Sequence, residues 1–362
     1  MIEGAMDKLG LVGLANAGKS TLFNALTGLD TPVAPHPFTT TDTTIAEAVV
    51  PDERVDALAA IHHSRKLVYA HMQLADIAGL TAGSSQGAGL GNRFLGQLRE
   101  ADAILYVLRA FHDDRVPGDD DPIANLDALE LELTLADLAS VESALERRRK
   151  VARSDPSARP EVAALEVVQA VLADGIPLYR ATLETDVLEL VRSAFLITTK
   201  PAIAVINADE GAEADVAVED TVRGRLGDHA TVVTAPLALE AELARLEPAE
   251  RAEMMEALAI GSSALERIAR AAFETLERWT FFTSGDKDTH AWTFRRGSNA
   301  QTCAGIIHSD LARGFIRAEV ASWRDVVEAG SWTRAKAQNK VRLEGRDYLV
   351  ADGDVLEIRF NV

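Results

Sequence analysis

Nine residues near the start of the chain, Gly13-Leu14-Ala15-Asn16-Ala17-Gly18-Lys19-Ser20-Thr21, set the tightest limit on what it can fold into. They satisfy G-x-x-x-x-G-K-[ST], follow the apolar run Leu9 to Val12 and precede the helix-compatible stretch Leu22 to Gly28. A strand, a glycine-rich loop and a helix in that order make a phosphate cradle. Glycines permit the φ angles that turn backbone N–H groups inward, and the helix N-terminus adds positive potential. In such a cradle Lys19 reaches the β and γ phosphates and Ser20 ligates magnesium. Further short apolar runs at Met72 to Ala75, Ile104 to Leu108, Ala202 to Ile206 and Thr231 to Val233, each followed by helix-compatible sequence, predict a parallel α/β sheet.

Two departures from that alternation divide the chain. Residues 125–151 are almost free of Gly and Pro and carry leucines at 126, 129, 133, 138 and 145, which predicts a long amphipathic helix. After the turn-like Ser154 to Ser157, a second helix from about Glu161 to Ala173 would fold back as an antiparallel hairpin. From Trp279 onward, aromatics and short strand-like pieces such as Phe315 to Val320 and Val355 to Phe360 predict a separate α+β module. The expected organisation is a nucleotide-binding body over residues 1–122 and 196–277, a helical insertion over 123–195 and a C-terminal domain over 278–362.

The chain carries a net charge of −19, of which +2 falls from Arg278 onward and −21 on the residues before it. Such acidity opposes generic coating of nucleic acid and sequence-specific DNA binding, and leaves the C-terminal module as the segment to offer to RNA. A single cysteine, Cys303, reads as a small core residue in a reducing compartment. Neither a leader nor an apolar run long enough to span a bilayer is recognisable, so the expected location is the cytoplasm, without membrane contact.

Asp76-Ile77-Ala78-Gly79 closes the strand that begins at Met72. An Asp there can hold a magnesium-bound water, and the Gly79 N–H can sense a γ-phosphate, which makes Lys19 and Gly79 the expected catalytic pair. Between this element and the phosphate loop lies Pro37-Phe38-Thr39-Thr40; spacing alone does not choose the magnesium-ligating threonine among residues 39–44. After the fourth strand, Asn207-Ala208-Asp209-Glu210 stands where a guanine-reading N-K-x-D would be. Glu210 has a longer arm than Asp, and Ala208 removes the packing lysine, so guanine selectivity is expected to be weak. Read alone, Asn207 or Asp209 serves equally well as a helix cap.

These stretches together resemble the YchF subfamily of Obg-like P-loop NTPases. The likeness extends to Gly87-Ala88-Gly89-Leu90-Gly91-Asn92, Leu135-Ala136-Asp137-Leu138, Lys200-Pro201, Gly314 to Val320 and Leu343 to Val362. The resemblance implies a Ras-like α/β P-loop NTPase domain, an inserted helical coiled-coil hairpin and a C-terminal β-grasp (TGS) domain. It also implies Thr40 as the switch threonine, so that the metal set is Ser20, Thr40 and Asp76. The nucleotide set it implies is Asn16, Ala17, Gly18, Lys19, Ser20 and Thr21 at the phosphates, with Asn207, Ala208 and Glu210 at the base. ATP would be accepted in preference to GTP, Mg2+ would be the cofactor, K+ would sit beside Asn16, and the ribosome would be the partner.

The sequence departs from that family at Ala15, usually Pro, and at Pro236-Leu237-Ala238, where the base loop usually has small residues. It also lacks a histidine between Asp113 and Pro122 to which hydrolysis is assigned in the family. Leu80 replaces the water-positioning Gln of Ras-like enzymes, so slow hydrolysis is expected. The expected function is a magnesium-dependent ATPase acting as a nucleotide-controlled switch on the ribosome, with an Obg-type GTPase and a nucleotide-gated binding module as the alternatives.

Overall fold

The computed structural model describes residues 7–29, 44–77, 90–212, 214–227, 230–258 and 260–361. The chain divides into two compact units, one of residues 7–47 with 73–275 and one of residues 1–6, 48–72 and 276–362.

The larger unit is built on a six-stranded sheet in the order β2-β4-β1-β5-β6-β7. Its strands are β1 (Lys8–Val12), β2 (Thr44–Val50), β4 (Ala70–Asp76), β5 (Ala103–Arg109), β6 (Ala202–Asn207) and β7 (Val232–Ala235). β3 (Lys66–Val68) belongs to the other sheet. Every residue of β5 and β6 is buried, as expected of parallel strands covered on both faces. β1 runs parallel to β4 on one side and β5 on the other. The chain turns to opposite halves of the sheet after these strands, so the crevice where a doubly wound sheet takes its ligand opens at the carboxyl end of β1.

The helices include α1 (Lys19–Thr27), α2 (Glu53–His62), α3 (Leu90–Glu100), α4 (Pro122–Ala152) and α5 (Arg159–Ala173). α4 starts on a good cap: the Asp121 side chain accepts from Ile123 N, and Pro122 fills the first turn, where no N–H is needed. With 31 residues it is about 46 Å long and serves two cores. Its first half packs Leu126, Leu129 and Leu133 against Ile104, Tyr106 and Leu108 of β5. Its second half packs Val141 and Leu145 against Leu165, Val168 and Leu172 of α5. The predicted hairpin is therefore present, with its base seated on the sheet.

Two polar side chains hold the returning segment. The Asp137 carboxylate, buried completely, accepts from Ile197 N at 2.9 Å, Thr198 N at 2.7 Å and Thr198 Oγ1 at 2.8 Å. Glu130 accepts from Tyr179 Oη at 2.7 Å and pairs with Arg180.

The smaller unit carries a six-stranded sheet in the order β11-β10-β12-β8-β9-β3. Its further strands are β8 (Arg278–Ser284), β9 (Asp288–Arg295), β10 (Phe315–Ser322), β11 (Arg342–Glu344) and β12 (Asp354–Phe360). β8 and β9 form an antiparallel hairpin, β12 joins β8 in parallel, and Phe281, Phe294, Cys303, Val320 and Leu356 fill the core. Cys303 is a buried core residue.

Residues 51–69, between β2 and β4 and grouped by sequence with the nucleotide body, fall in this smaller unit. β3 pairs in parallel with β9, Ser64 Oγ donates to Gly285 O at 2.7 Å, and Arg54 bonds Asp352 at 2.6 Å beneath the Phe282 ring. The fold is thus a Ras-like P-loop domain carrying a helical hairpin, together with a mixed α+β C-terminal domain. No helix among the described residues is long and apolar enough to cross a membrane.

Replacing Asp137 with Ala strands two buried backbone N–H groups and the Thr198 hydroxyl. The expected cost is about 3 kcal/mol, read as a lower urea midpoint for the unit that contains the hairpin.

Candidate nucleotide site at the carboxyl end of the first strand

The loop from Gly13 to Gly18 leaves β1 inside the sheet and must turn at once, and two glycines show how little room it has. A Cβ on Gly13 would lie 2.6 Å from Val107 O. Gly18 has φ 103°, in the left-handed region, and a Cβ there would run into the amide of Asn207. Asn16 is also left-handed, at φ 62°. Gly18 is the N-cap of α1 and supplies no side chain to its open N–H groups, which remain available to a ligand. Ala17 is buried, while Ser20 and Thr21 lie in the first turn of α1 and are half-buried.

Lys19 folds over this loop, its Nζ donating to Gly13 O at 3.0 Å and Leu14 O at 2.9 Å. Burial pushes the ammonium down to about 8, with the charge of Asp76 pulling the other way. Ser20 Oγ donates to Asp76 Oδ2 at 2.8 Å. The other oxygen, Oδ1, is buried and has no hydrogen-bond partner among the described residues. Burial raises the Asp76 carboxyl, against the Ser20 hydrogen bond and the Lys19 charge.

A buried carboxylate with a spare oxygen beside a hydroxyl at a helix N-terminus suits a hard divalent cation whose remaining ligands are phosphate oxygens and water. The donor set therefore fits magnesium. Among the described residues no group of three or more His, Cys, Asp or Glu offers an alternative cage.

Asn207, at the end of β6, is committed to the frame. Its Nδ2 donates to Ala17 O at 3.0 Å and its Oδ1 accepts from Leu237 N at 3.1 Å, so one side chain ties the phosphate loop to the loop after β7. The Leu237 N–H of the altered Pro236-Leu237-Ala238 loop is thereby used internally. Ala208 N donates to Ala235 O at 3.0 Å, and Glu210 is exposed. Asp209 accepts from His112 N at 3.2 Å, which joins the loop after β5 to the loop after β6. Thr40 and Gly79 lie outside the described residues, as does Leu80.

Sequence reasoning missed Arg109. This arginine, only 3% exposed, ends β5 and donates to the carbonyls of Phe111, Asp113, Val116, Pro117 and Gly118 at 3.1–3.4 Å. Its guanidinium also stacks on the Phe111 ring at 4.6 Å. Asn125, equally buried, donates to Asp119 O and Asp121 O. Together they fix the loop after β5 from within. Its one visible signal was an arginine closing an otherwise apolar strand. His112, by contrast, is exposed; a hydrogen bond to Asp120 and the charge of Asp114 raise its pKa.

Fold and site define a P-loop nucleoside triphosphatase of Ras-like architecture. The family described as a 50S ribosome-binding GTPase matches residues 8–135, and the YchF GTPase C-terminal family, described as a protein of unknown function, matches residues 279–361. The ribosome-binding ATPase YchF of Bacillus subtilis (strain 168) is 40% identical over 361 residues, covering 98% of this chain and 99% of that protein. Obg-like ATPase 1 of Pongo abelii is 35% identical over 379 residues, covering 99% and 93%. The solved YchF GTPase of Schizosaccharomyces pombe superposes with a TM-score of 0.83 at 32% identity, over 98% of both chains. The chain belongs to the YchF family.

Gly18→Ala strains φ and displaces the Asn207 amide, and is expected to weaken nucleotide binding by about tenfold or more. Asn207→Ala weakens it too, yet makes room for the new methyl group. Titration calorimetry on both single variants and the double variant should therefore show a combined loss smaller than the sum of the two.

Proposed function

We propose that this chain is a magnesium-dependent ATPase that hydrolyses ATP slowly and acts as a nucleotide-controlled switch on the ribosome. The observation that carries this reading is the Ser20–Asp76 pair with its spare buried oxygen, set beside the folded-back ammonium of Lys19. On binding, Lys19 exchanges the carbonyls of Gly13 and Leu14 for β and γ phosphate oxygens, and the N–H groups from Asn16 to Thr21 wrap the phosphates. Ser20 and Asp76 hold the magnesium, with Thr40 as the third residue of that set; when bound, the ion offsets negative charge on the β and γ oxygens. Gly79 reports the γ-phosphate through its N–H, three residues beyond the Asp76 that closes β4, so nucleotide state is passed to the segment after this strand.

At the base, Asn207 positions the phosphate loop against the loop after β7, leaving Ala208 and Glu210 to face the ring. Neither Ala208 nor the long arm of Glu210 suits the paired donors of guanine, which favours ATP. The names of the relatives, ribosome-binding ATPase and Obg-like ATPase, support both the substrate and the partner, and a cytoplasmic location follows from the partner. The loop from Asp113 to Pro122 offers no histidine for the chemistry, and the ring of His112 is engaged by Asp120 and Asp114. Turnover by the free protein is accordingly slow.

Competition of ATP and GTP against a fluorescent ATP analogue, with steady-state hydrolysis measured with and without ribosomes, tests the proposal. ATP should bind at least as tightly as GTP, and Lys19→Ala should lose at least about tenfold in affinity without a change in melting temperature. Free turnover should fall well below roughly 1 s⁻¹, and ribosome binding should differ between ATP and ADP states. A tenfold preference for GTP, to take a rough threshold, would overturn the base assignment. Identical ribosome binding in the two nucleotide states would overturn the switch.

A further inference from the structure

The loop between β5 and α4 is built around the buried cation of Arg109. All of its guanidinium nitrogens are used, and every acceptor among the described residues is a main-chain carbonyl of that loop. Nε donates to Phe111 O, Nη2 to Asp113 O, and Nη1 to the carbonyls of Val116, Pro117 and Gly118. A charge placed in this way is satisfied in one loop conformation only, because any opening strips several acceptors at once from a group that is expensive to bury. Asn125 closes the far end, with Nδ2 donating to Asp119 O at 3.0 Å and to Asp121 O at 2.8 Å. The loop is thus held in place although it has no regular structure.

The same loop adjoins the motif at the end of β6. Arg109 lies opposite Asn207 in the parallel register, so β5 and β6 end level. Just beyond, Ala110 N donates to Asn207 O at 2.8 Å and His112 N donates to Asp209 Oδ2 at 3.2 Å. Phe111 stands between these two anchored amides, with its ring on the Arg109 guanidinium. On the opposite side, Ala208 N donates to Ala235 O and Asn207 Oδ1 accepts from Leu237 N. Residues 207–210 therefore lie between two loops, one aligned by the pairing of β6 with β7 and the other by Arg109.

Resting on the base site proposed above, we infer that Arg109 is a positioning residue for base recognition: by fixing the loop after β5 against residues 207–210, it sets how much the base, as distinct from the phosphates, contributes to binding. Reading a purine edge requires its partners to be held within about 0.5 Å of their places. Ala208 and Glu210 flank Asp209, whose carboxylate is tied to the loop, so a loosened loop loosens both of them. The phosphate cradle is spared, because the Lys19 and Ser20 side chains and the Asn207 amide bond other partners than this loop. Lysine cannot stand in for Arg109, since an ammonium gathers its donors at one point and cannot span carbonyls spread from Phe111 to Gly118.

The test compares a non-hydrolysable ATP analogue with tripolyphosphate, each with magnesium, by titration calorimetry on the full wild-type chain and on Arg109→Lys, Arg109→Gln, Asp209→Ala and Asp209→Asn variants. Both Arg109 variants should lose about tenfold in affinity for the analogue and less than about twofold for tripolyphosphate. KM for ATP should rise by a similar factor with kcat nearly unchanged, the pattern of a loss common to ground and transition states. Asp209 is exposed, so its replacement by Ala disturbs no buried group. That variant should lose about threefold for the analogue alone, whereas Asp209→Asn, which keeps an oxygen for His112 N, should bind as wild type does. Equal losses for both ligands in the Arg109 variants would overturn the inference, as would analogue binding by Asp209→Ala as tight as that of wild type. Should neither Arg109 variant fold, the Asp209 pair decides: a loss in Ala that Asn restores supports the inference, and three equal affinities overturn it. Wild type that binds tripolyphosphate as tightly as the analogue would overturn the base site and this inference with it. A preference for the analogue that survives undiminished in both Arg109 variants sinks this inference alone.

Discussion

Leu11 of β1 lies opposite Asp76 of β4 in the parallel register, and the rest of the site depends on that pairing. It brings the carboxylate level with the point where the chain leaves the sheet, so the first turn of α1 can set Ser20 Oγ against it. A slip of one residue would turn Asp76 to the other face of the strand and abolish the contact. The register is itself protected by burial: Leu9, Leu11, Leu74 and Ala75 are all inside, and any slip exposes part of that set. Apolar packing thus positions a carboxylate that is costly to bury, and the spare oxygen of Asp76 is the residue of that cost.

Around this centre, four loops are joined by polar side chains. Asn207 links the phosphate loop to the loop after β7, Arg109 gathers the carbonyls of the loop after β5, and Asp209 ties that loop to its own. Asn207 and Arg109 are buried and are satisfied only when their neighbours are in place, so the loops order one another. The helical insertion follows the same economy. Asp137 and Glu130 hold the returning segment to α4, while the two ends of that helix serve different apolar cores.

The parts of this architecture that are contiguous in sequence are the parts legible from it. The phosphate loop is a local motif, and the helical periodicity of residues 125–151 announces α4 to within three residues at either end. What escapes is non-local. β3 is three residues long and has no periodicity to detect, and it pairs with a strand more than two hundred residues onward, so nothing in Lys66-Leu67-Val68 marks it as part of the C-terminal sheet. Asn207 was visible as part of the base motif. The direction of its amide, toward Ala17 and Leu237, depends on two other strand ends that sequence does not place. Arg109 is not marked by the sequence, because the five carbonyls that it gathers belong to a loop without regular structure.

The central claim is that the Ser20–Asp76 pair is a preformed seat for the divalent ion that accompanies the nucleotide. Anomalous diffraction from crystals of the full chain grown with Mn2+ and a non-hydrolysable ATP analogue tests it most directly. The account predicts a single manganese peak coordinated by Ser20 Oγ on the side that faces Asp76, with the hydroxyl released from the carboxylate and Lys19 Nζ moved from Gly13 O and Leu14 O onto the phosphates. A manganese peak without Ser20 as ligand, or Lys19 still bonded to the loop carbonyls with nucleotide present, would contradict it.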